Sequence, residues 1–359
     1  MSRKKKIGIL TFHSAHNYGA VLQTYALQEH LVGNGFTVEI IDYRPAFIEK
    51  SYKLFRLNRI KSKNPITIIR KLIQELLMIE KRKLAKKDYE LFLKTHLTLS
   101  PNVAKNREQI PTDYDLYIHG SDQIWNPKML GGKIDPIYFG DFSASNGKKI
   151  SYAASFANEP LKQQDKETYK KLLTNLDAVS VREKELGVLI KDCTEKKIYD
   201  VLDPTLLANP KVWSKIIEEP AIENYILIYQ VGQNPLTHKL ANEIARKNNL
   251  VIYDINSEKN HVSVGKFVGL FLKADYIITT SFHGTAFSLI FNKQFYSIAS
   301  GTGRDVRVDS LLKDLNIQER LLYQIPESIT TIDYESVNKN LEILKQKSVD
   351  FLKDNLCFQ

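Results

Sequence analysis

The chain of 359 residues has little of what would place it in a specialised class of protein. Its two cysteines, Cys193 and Cys357, provide neither a disulfide framework nor the spacing of a metal site. It has no run of about 18 apolar residues, so no membrane-spanning helix is expected. The apolar run KIGILTF near the N-terminus is short and is better explained as a first strand than as a signal peptide. We therefore expect a globular protein of the cytoplasm.

The excess of positive charge is confined to one segment. The formal net charge is +10, yet residues 50–94 carry 14 Lys and Arg against 4 Asp and Glu, so the remainder of the chain is neutral. Such a segment suits an anionic membrane surface, an acidic glycan or a nucleic acid. No nucleic-acid-binding module is recognisable, so no nucleic-acid partner is expected. Two interpretations stay open: a solvated surface helix, which is favoured, and peripheral contact with the inner face of a membrane.

Apolar patterns alternate between strands and helices along the chain. A β-rich run at 6–12, a helix from about residue 20 and a second strand ending at Pro45 form a βαβ unit, which requires parallel strands. A stretch with two prolines, 209–224, has the composition of a connector, and a second alternating set of strands and helices follows it. The patterns predict an α/β protein with two Rossmann-like domains that face a cleft.

The predicted boundaries follow from these patterns. The N-terminal domain is expected over residues 1–208, with the basic segment 50–94 as a helical insertion. The C-terminal domain is expected over 209–335. Residues 336–359 are predicted to form a helix that packs back on the N-terminal domain.

Four loops follow predicted strands, which is where ligands bind in open parallel sheets. They are HSAHNYG (13–19), GSDQIWN (120–126), VRE (181–183) and TSFHGT (280–285). The first loop opens a helix whose N-terminal N–H groups favour an anion, although an ordinary turn explains it equally well. It contains neither a dinucleotide-binding glycine pattern nor a Walker lysine.

Several side chains of the second loop are suited to a sugar. Asp122 could orient or deprotonate a hydroxyl, and Gln123 and Asn126 offer paired hydrogen bonds. Trp125 could stack on the apolar face of a sugar ring. The alternative is a capped turn, with Ser121 or Asp122 as the cap and the tryptophan in the core.

The other two loops carry the charged candidates. Arg182 suits recognition of a carboxylate or phosphate, and a surface ion pair with Glu183 is the alternative. His283 could give or take a proton near neutral pH, and the glycine after it would let a ligand approach the backbone. A structural histidine at a helix start is the alternative. Arg304 and Arg307 form a further basic pair after a glycine turn.

Six motifs occur in order: NYGAVLQTYAL, GSDQIWN, ISYAASF, VREKE, DPTLL and ADYIITTSFHGTAF. Together they resemble the polysaccharide pyruvyl transferase family over about residues 6–320. The resemblance implies a GT-B-like arrangement of the two domains. It also implies transfer of pyruvate from phosphoenolpyruvate (PEP) onto two hydroxyls of a sugar, which forms a cyclic ketal. The acceptor would belong to a capsule, exopolysaccharide or cell-wall intermediate, in some members linked to a polyprenyl lipid.

The resemblance also implies roles for individual residues. The catalytic set is His283 as the acid that protonates the donor, Asp122 as the group that orients or deprotonates a hydroxyl, and Arg182 as a counter-charge. The donor-binding set is Arg182, Ser281, His283, Gly284, Thr285, Arg304 and Arg307. The acceptor-binding set, on the N-terminal domain, is His16, Asn17, Tyr18, Ser121, Gln123, Trp125 and Asn126. No metal and no cofactor are expected, with PEP as co-substrate.

One departure from the family pattern affects the donor site. Relatives often carry Arg-x-His where this chain has Ser281-Phe282-His283, so the charge of the donor must be met by another cation. Two alternatives to pyruvyl transfer stay open. One is a glycosyltransferase that uses a sugar nucleotide in the same cleft, and the other is a non-catalytic glycan- or membrane-binding protein with an inherited fold.

Overall fold

The structure, a computed structural model, describes residues 4–55, 64–144, 147–156, 163–257, 261–301, 303 and 305–356. The strands are β1 Lys6–Leu10, β2 Thr37–Ile40, β3 Leu116–His119, β4 Lys148–Ser151, β5 Val179–Val181, β6 Ile198–Asp200, β7 Tyr225–Tyr229, β8 Val251–Asp254, β9 Tyr276–Thr279, β10 Gln294–Ile298 and β11 Leu321–Leu322. The helices are α1 Tyr18–Gly33, α2 Ala46–Ser51, α3 Pro65–Leu77, α4 Ile79–His96, α5 Gln163–Leu173, α6 Lys184–Ile190, α7 Pro204–Leu207, α8 Pro235–Asn248, α9 Val264–Lys273, α10 Phe282–Ile290, α11 Asp305–Asp314 and α12 Tyr334–Leu356.

The N-terminal sheet has the strand order β2-β1-β3-β4, and every pair is parallel. Bridges from Ile150 to Ala178 and from Ala154 to Val181 continue it into the β5-β6 pair. Asn17 caps α1, because its side chain accepts a hydrogen bond from the Ala20 N–H at 3.2 Å. The predicted βαβ unit is confirmed.

The C-terminal sheet has the order β11-β10-β9-β7-β8 and is also parallel. In each sheet the direction of strand order reverses at one strand, β1 in the first sheet and β7 in the second. The loops that leave β1 and β3, and those that leave β7 and β9, therefore border a crevice at the carboxyl edge of their sheet. These are the positions where a doubly wound sheet binds its ligand.

Apolar side chains join the two halves. Tyr18 at the start of α1 stacks on Phe267 of α9, with ring centroids 4.1 Å apart. Trp213, in the stretch predicted as a connector, is fully buried against Tyr25 of α1 and Phe287 of α10. The core is continuous from one sheet to the other. The predicted class is confirmed: an α/β protein in which two Rossmann-like domains face a cleft.

The C-terminal helix returns to the N-terminal domain, as predicted. Phe351 of α12 packs against Tyr152 and Tyr199, with ring centroids 6.4 and 5.1 Å away. Ser348 Oγ accepts a hydrogen bond from the Leu202 N–H at 2.9 Å. Lys148 donates to Asn355 Oδ1 at 2.8 Å. These contacts hold α12 against the part of the N-terminal domain around β4 and β6.

The basic segment contains two helices, α3 and α4, which are separated at Met78. Residues 56–63 of this segment lie outside the described part of the chain. Across the described residues, none of the helices is both long and apolar enough to cross a bilayer. Cys193 is a buried free thiol, and Cys357 lies outside the described residues.

Candidate active site

His283 lies at the junction between β9, the central strand of the C-terminal sheet, and helix α10. Strand β9 ends at Thr279, Ser281 keeps an extended backbone, and α10 begins at Phe282. His283 is the second residue of the helix, and its side chain is 10% exposed. A short run of buried, mostly apolar residues forms the strand, and the hydroxyl-rich turn ends it. The histidine is therefore placed at the carboxyl edge of the sheet by local sequence.

Gly19 lets the other domain reach this histidine. A Cβ atom at Gly19 would lie 2.0 Å from Nδ1 of His283, so no larger residue fits without moving the ring. The first turn of α1 therefore packs directly on the imidazole. The motif NYGA and the motif SFHGT, distant in sequence, form a single contact between the domains.

Asp203 approaches the opposite edge of the same ring. Its Oδ2 lies 3.7 Å from Nε2 of His283 and accepts a hydrogen bond from Nη1 of Arg182 at 2.7 Å. Its Oδ1 accepts from both the N–H and the hydroxyl of Thr205, at 3.0 and 2.7 Å. Burial by itself would raise the pKa of Asp203, but His283, Arg182 and the Thr205 N–H hold that pKa well below its usual range. Asp203 is therefore a carboxylate aimed at the histidine.

Sequence reasoning did not select Asp203. It begins the motif DPTLL, in which the aspartate caps α7 and Pro204 occupies the first helical position. That pattern indicates a helix start and carries no sign of the contact with His283. The second carboxylate oxygen of Asp203 lies beside His283 because the fold brings α7 next to α10.

Arg182 is buried among acidic groups. Besides its hydrogen bond to Asp203, it lies 3.5 Å from Glu183 and 3.9 Å from Asp122. Its guanidinium carbon lies 4.7 Å from the ring centroid of Phe282. Burial would lower the pKa of Arg182, but Glu183, Asp203 and Asp122 raise it, so the side chain keeps its charge. The alternative of a surface ion pair is wrong, because the side chain is 2% exposed.

A small cavity of ≈ 110 Å³ lies beside His283, between the domains. Residues after β1, β3, β7 and β9 all contribute to its wall, so it occupies the crevices of both sheets at once. It brings together polar residues that the sequence predicts for catalysis, donor binding or acceptor binding: Asn17, Asp122, Gln123, Ser281, His283 and Arg307. Asp122 has a left-handed backbone, with φ of 73°, which is uncommon outside glycine and directs it away from a regular strand path.

Among the arginines that the structure describes, Arg307 lines this cavity. It belongs to α11, is 9% exposed, and its guanidinium carbon lies 5.7 Å from the Phe282 ring centroid. Arg182 borders instead a larger cavity of ≈ 600 Å³, which extends between β6, α11 and α12. Phe282 and Arg307 line both cavities. Arg304 lies outside the described residues.

Three expectations for the acceptor side are wrong because the side chains serve the fold. Trp125 is completely buried, stacks on Phe139 with centroids 4.8 Å apart, and donates its indole N–H to the Tyr138 carbonyl. Ser121 is also completely buried and donates to the Ala153 carbonyl at 3.0 Å. Asn126 caps the turn after it by accepting from the Lys128 N–H at 3.0 Å.

Two further expectations, on the donor side, are corrected for the same reason. Thr285 is completely buried and bonds to Ser281 and Ser297. A Cβ atom at Gly284 would lie 2.1 Å from the Thr279 hydroxyl. This glycine therefore lets α10 pack tightly on the end of β9, and it does not open the backbone to a ligand.

His16 and Tyr18 do not lie in the wall of the small cavity. His16 stacks on Tyr89 of α4, with centroids 5.4 Å apart, and lies 4.9 Å from the ring of Tyr52. The Tyr18 hydroxyl donates to the Val262 carbonyl at 2.6 Å. The His16 ring therefore packs within the N-terminal domain, whereas Tyr18 packs against the C-terminal domain, and the acceptor-binding role expected for Tyr18 is replaced by a structural one.

One comparison with known proteins, that with family models, agrees with the resemblance seen in the motifs. A family model described as polysaccharide pyruvyl transferase matches residues 17–302. Among curated protein sequences no significant match is found. Similar solved structures include UDP-N-acetylglucosamine 2-epimerase from Rickettsia bellii, with 11% identity, a TM-score of 0.47 and coverage of 99% of this chain and 96% of that one.

Two further solved structures have the same level of similarity. A putative UDP-N-acetylglucosamine 2-epimerase from Listeria monocytogenes has 9% identity, a TM-score of 0.44 and coverage of 96% and 90%. The glycotransferase of kitacinnamycin has 10% identity, a TM-score of 0.42 and coverage of 98% and 96%.

Proposed function

The chain belongs to the polysaccharide pyruvyl transferase family, and on this premise we propose that it transfers pyruvate from PEP onto two hydroxyls of a sugar as a cyclic ketal. One observation carries the proposal. A single small cavity between the domains is lined by a histidine, a carboxylate and an arginine, namely His283, Asp122 and Arg307. These are the side-chain types that the reaction requires, and they come from three separate parts of the chain.

The donor is a dense anion, so its site needs positive charge. We assign this role to Arg307, which can form paired hydrogen bonds with a carboxylate or phosphate. Ser281 and His283 at the start of α10 line the same cavity, and the N-terminus of a helix favours an anion. Arg182 is compensated by Asp203 and its other acidic neighbours, so we propose that it positions Asp203 and does not bind the donor.

Proton transfer to the donor comes first. His283 gives a proton to the CH2 carbon of PEP, which turns the neighbouring carbon into an oxocarbenium-like centre. Asp203 is a positioning residue, because its carboxylate lies beside Nε2 of His283 and favours one orientation of the ring. Gly19 closes the other side of the imidazole.

Two hydroxyls of one sugar then add to the same carbon. The first attacks while Asp122 accepts its proton, and the second attacks as the carbon–oxygen bond to phosphate breaks. Of the two hydroxyl protons, one replaces the proton that His283 delivered and the other leaves with phosphate. The products are a methyl-bearing ketal and inorganic phosphate, so the step balances without an oxidant or reductant.

The test is turnover of PEP by the purified protein with a panel of free and lipid-linked glycans. We expect phosphate release that depends on the acceptor, and an acceptor heavier by one pyruvate ketal in mass spectrometry. His283→Gln should reduce the rate by roughly 10²–10⁴-fold, the usual contribution of a positioned acid. His238→Gln is the matched control, because His238 is on the surface and 49% exposed.

The two alternatives give different results in the same assay. A protein that turns over a sugar nucleotide with these glycans and leaves PEP intact would be a glycosyltransferase. A protein that binds glycans equally well with and without His283, and turns over neither donor, would be a non-catalytic binder. Either result would contradict the proposed pyruvyl transfer.

A further inference from the structure

Helix α3 carries a row of large aliphatic side chains that face away from the protein. Ile66, Ile69, Ile73, Leu76 and Leu77 are 77%, 57%, 52%, 59% and 77% exposed. Their spacing of three, four, three and one residues places them on one face of the helix. An isolated exposed aliphatic residue is ordinary, but a continuous row of five marks a surface that contacts something else.

The inward side of α3 is less apolar than its exposed side. Its buried residue is Glu75, which faces inward and pairs with Arg82 of α4, at 2.6 and 2.9 Å. Of the sixteen large hydrophobic side chains exposed in the described part of the chain, eight lie between Ile66 and Leu91. Apolar exposure is therefore concentrated in one hairpin and is not spread over the surface.

Positive charge borders this apolar face. Arg70, Lys83, Lys86, Lys87 and Lys94 are exposed on α3 and α4. The acidic residues of the two helices are engaged with partners: Glu75, Glu80 and Glu90 form ion pairs with Arg82, Lys83 and Arg44, and Asp88 is hydrogen-bonded to His261. The surface therefore presents aliphatic groups together with an excess of positive charge.

We propose that this α3–α4 surface, made of the aliphatic row of α3 and the basic residues beside it, docks on an anionic lipid bilayer. The aliphatic side chains would enter the boundary between headgroups and acyl chains, and the basic side chains would contact lipid phosphates. A second copy of the chain is a poorer occupant, because a symmetric contact would bring two basic surfaces together. The docking is peripheral, since α3 lies along the surface.

The docked surface is connected to the small cavity by named contacts. Tyr52 lines that cavity, and two residues further on the Leu54 carbonyl accepts a hydrogen bond from Nη1 of Arg82 at 2.8 Å. The same Arg82 nitrogen bonds to Glu75 of α3. Docking would thus connect the wall of the cavity, through Tyr52, to a membrane-bound surface, and a lipid-linked sugar is available at a membrane. This last link rests on the proposed function, whereas the docking itself does not.

The experiment is sedimentation of the full chain with vesicles of phosphatidylcholine alone and of phosphatidylcholine with phosphatidylglycerol. The first variant carries Ile69→Gln, Ile73→Gln and Leu77→Gln. Its folding is expected to be intact, because the three side chains are exposed. The matched control carries Val188→Gln and Val251→Gln, which are 73% and 54% exposed elsewhere on the surface. A second variant carries Lys86→Gln and Lys87→Gln.

We expect binding to the anionic vesicles and little to the neutral ones. The triple variant should lose at least about tenfold in affinity, since binding scales with the apolar area inserted. The double lysine variant should lose about fivefold for each charge removed, and added salt should have the same effect as that variant. The valine control should bind as the unchanged protein does.

Three results would overturn the docking. One is equal binding of the triple variant and the unchanged protein, and another is absence of binding to anionic vesicles. The third is that the unchanged protein does not bind vesicles but forms a dimer in light scattering, and that the triple variant loses this dimer. Turnover of PEP with a water-soluble acceptor should be the same in the triple variant and in the unchanged protein. Failure of docking and failure of the proposed chemistry are therefore separate outcomes.

Discussion

Asp203 and His283 meet across the domain contact, with Oδ2 of the carboxylate 3.7 Å from Nε2 of the imidazole. The same oxygen is held at 2.7 Å by the buried Arg182. Asp203 follows the last strand of the N-terminal sheet, and His283 opens a helix of the C-terminal domain. The orientation of the proposed acid therefore depends on how the two domains are packed.

Asp203→Asn should lower kcat by roughly 10²–10⁴-fold while KM for PEP changes little, because an amide does not hold the imidazole in the same orientation. Asparagine keeps the cap on α7, since Asn and Asp are equivalent caps. The measurement is steady-state phosphate release as a function of PEP concentration. A variant with unchanged kcat would show that the carboxylate does not position His283.

Gly19→Ala should lower kcat by about a hundredfold, because a methyl group 2.0 Å from Nδ1 of His283 must displace the ring. The matched control is Gly33→Ala at the other end of α1, where an added Cβ meets nothing within 4 Å. Both variants place alanine in the same helix. If their rates were equally reduced, the effect would belong to the helix and not to the contact with His283.

Substitutions of Arg307 and Arg182 should affect different properties, donor binding in the first case and stability in the second. Arg307→Gln should raise KM for PEP by about tenfold or more, the usual value of a hydrogen bond to a charged group. Arg182→Gln should instead lower the free energy of unfolding by about 3–5 kcal/mol, because it removes the guanidinium nearest to the buried carboxylates of Asp203 and Glu183. Donor kinetics and urea unfolding of both variants check this. The opposite assignment would hold if Arg182→Gln raised KM and kept full stability.

Acid should weaken the fold through Asp42. Burial would raise the pKa of Asp42, but His13 and Arg44 lower it to about 2. Because this folded-state pKa lies below the unfolded value of about 3.9, the stabilisation is present above that value and is lost as the pH falls from about 4 to about 2. Asp42→Asn should reduce the slope of unfolding free energy in this window by up to about 1.4 kcal/mol per pH unit.

Urea unfolding at several pH values measures this slope. Asp192→Asn is the control, because Asp192 is exposed. An equal slope in Asp42→Asn and in the unchanged protein would contradict the role of the His13–Asp42 pair, in which the two atoms are 2.9 Å apart.

Much of the fold was predictable because its signals are local. Short apolar runs predicted the strands, and the polar residues that end these runs predicted the loops that carry His283 and Asp122. Parallel sheets then require these loops to lie at carboxyl edges. The order of motifs predicted the family. The helical character of 66–94 was also visible, although the outward direction of its apolar face was not.

What the sequence by itself determined is the set of strand ends and the residue types that stand there. The tertiary structure decided which of those side chains face the cleft. Trp125 and Ser121 follow the same strand as Asp122, yet the first two are completely buried and Asp122 lines the cavity. Asp203 belongs to the site because it lies beside His283 of the other domain. Burial and partners depend on contacts between distant segments, and spacing along the chain carries no record of those contacts.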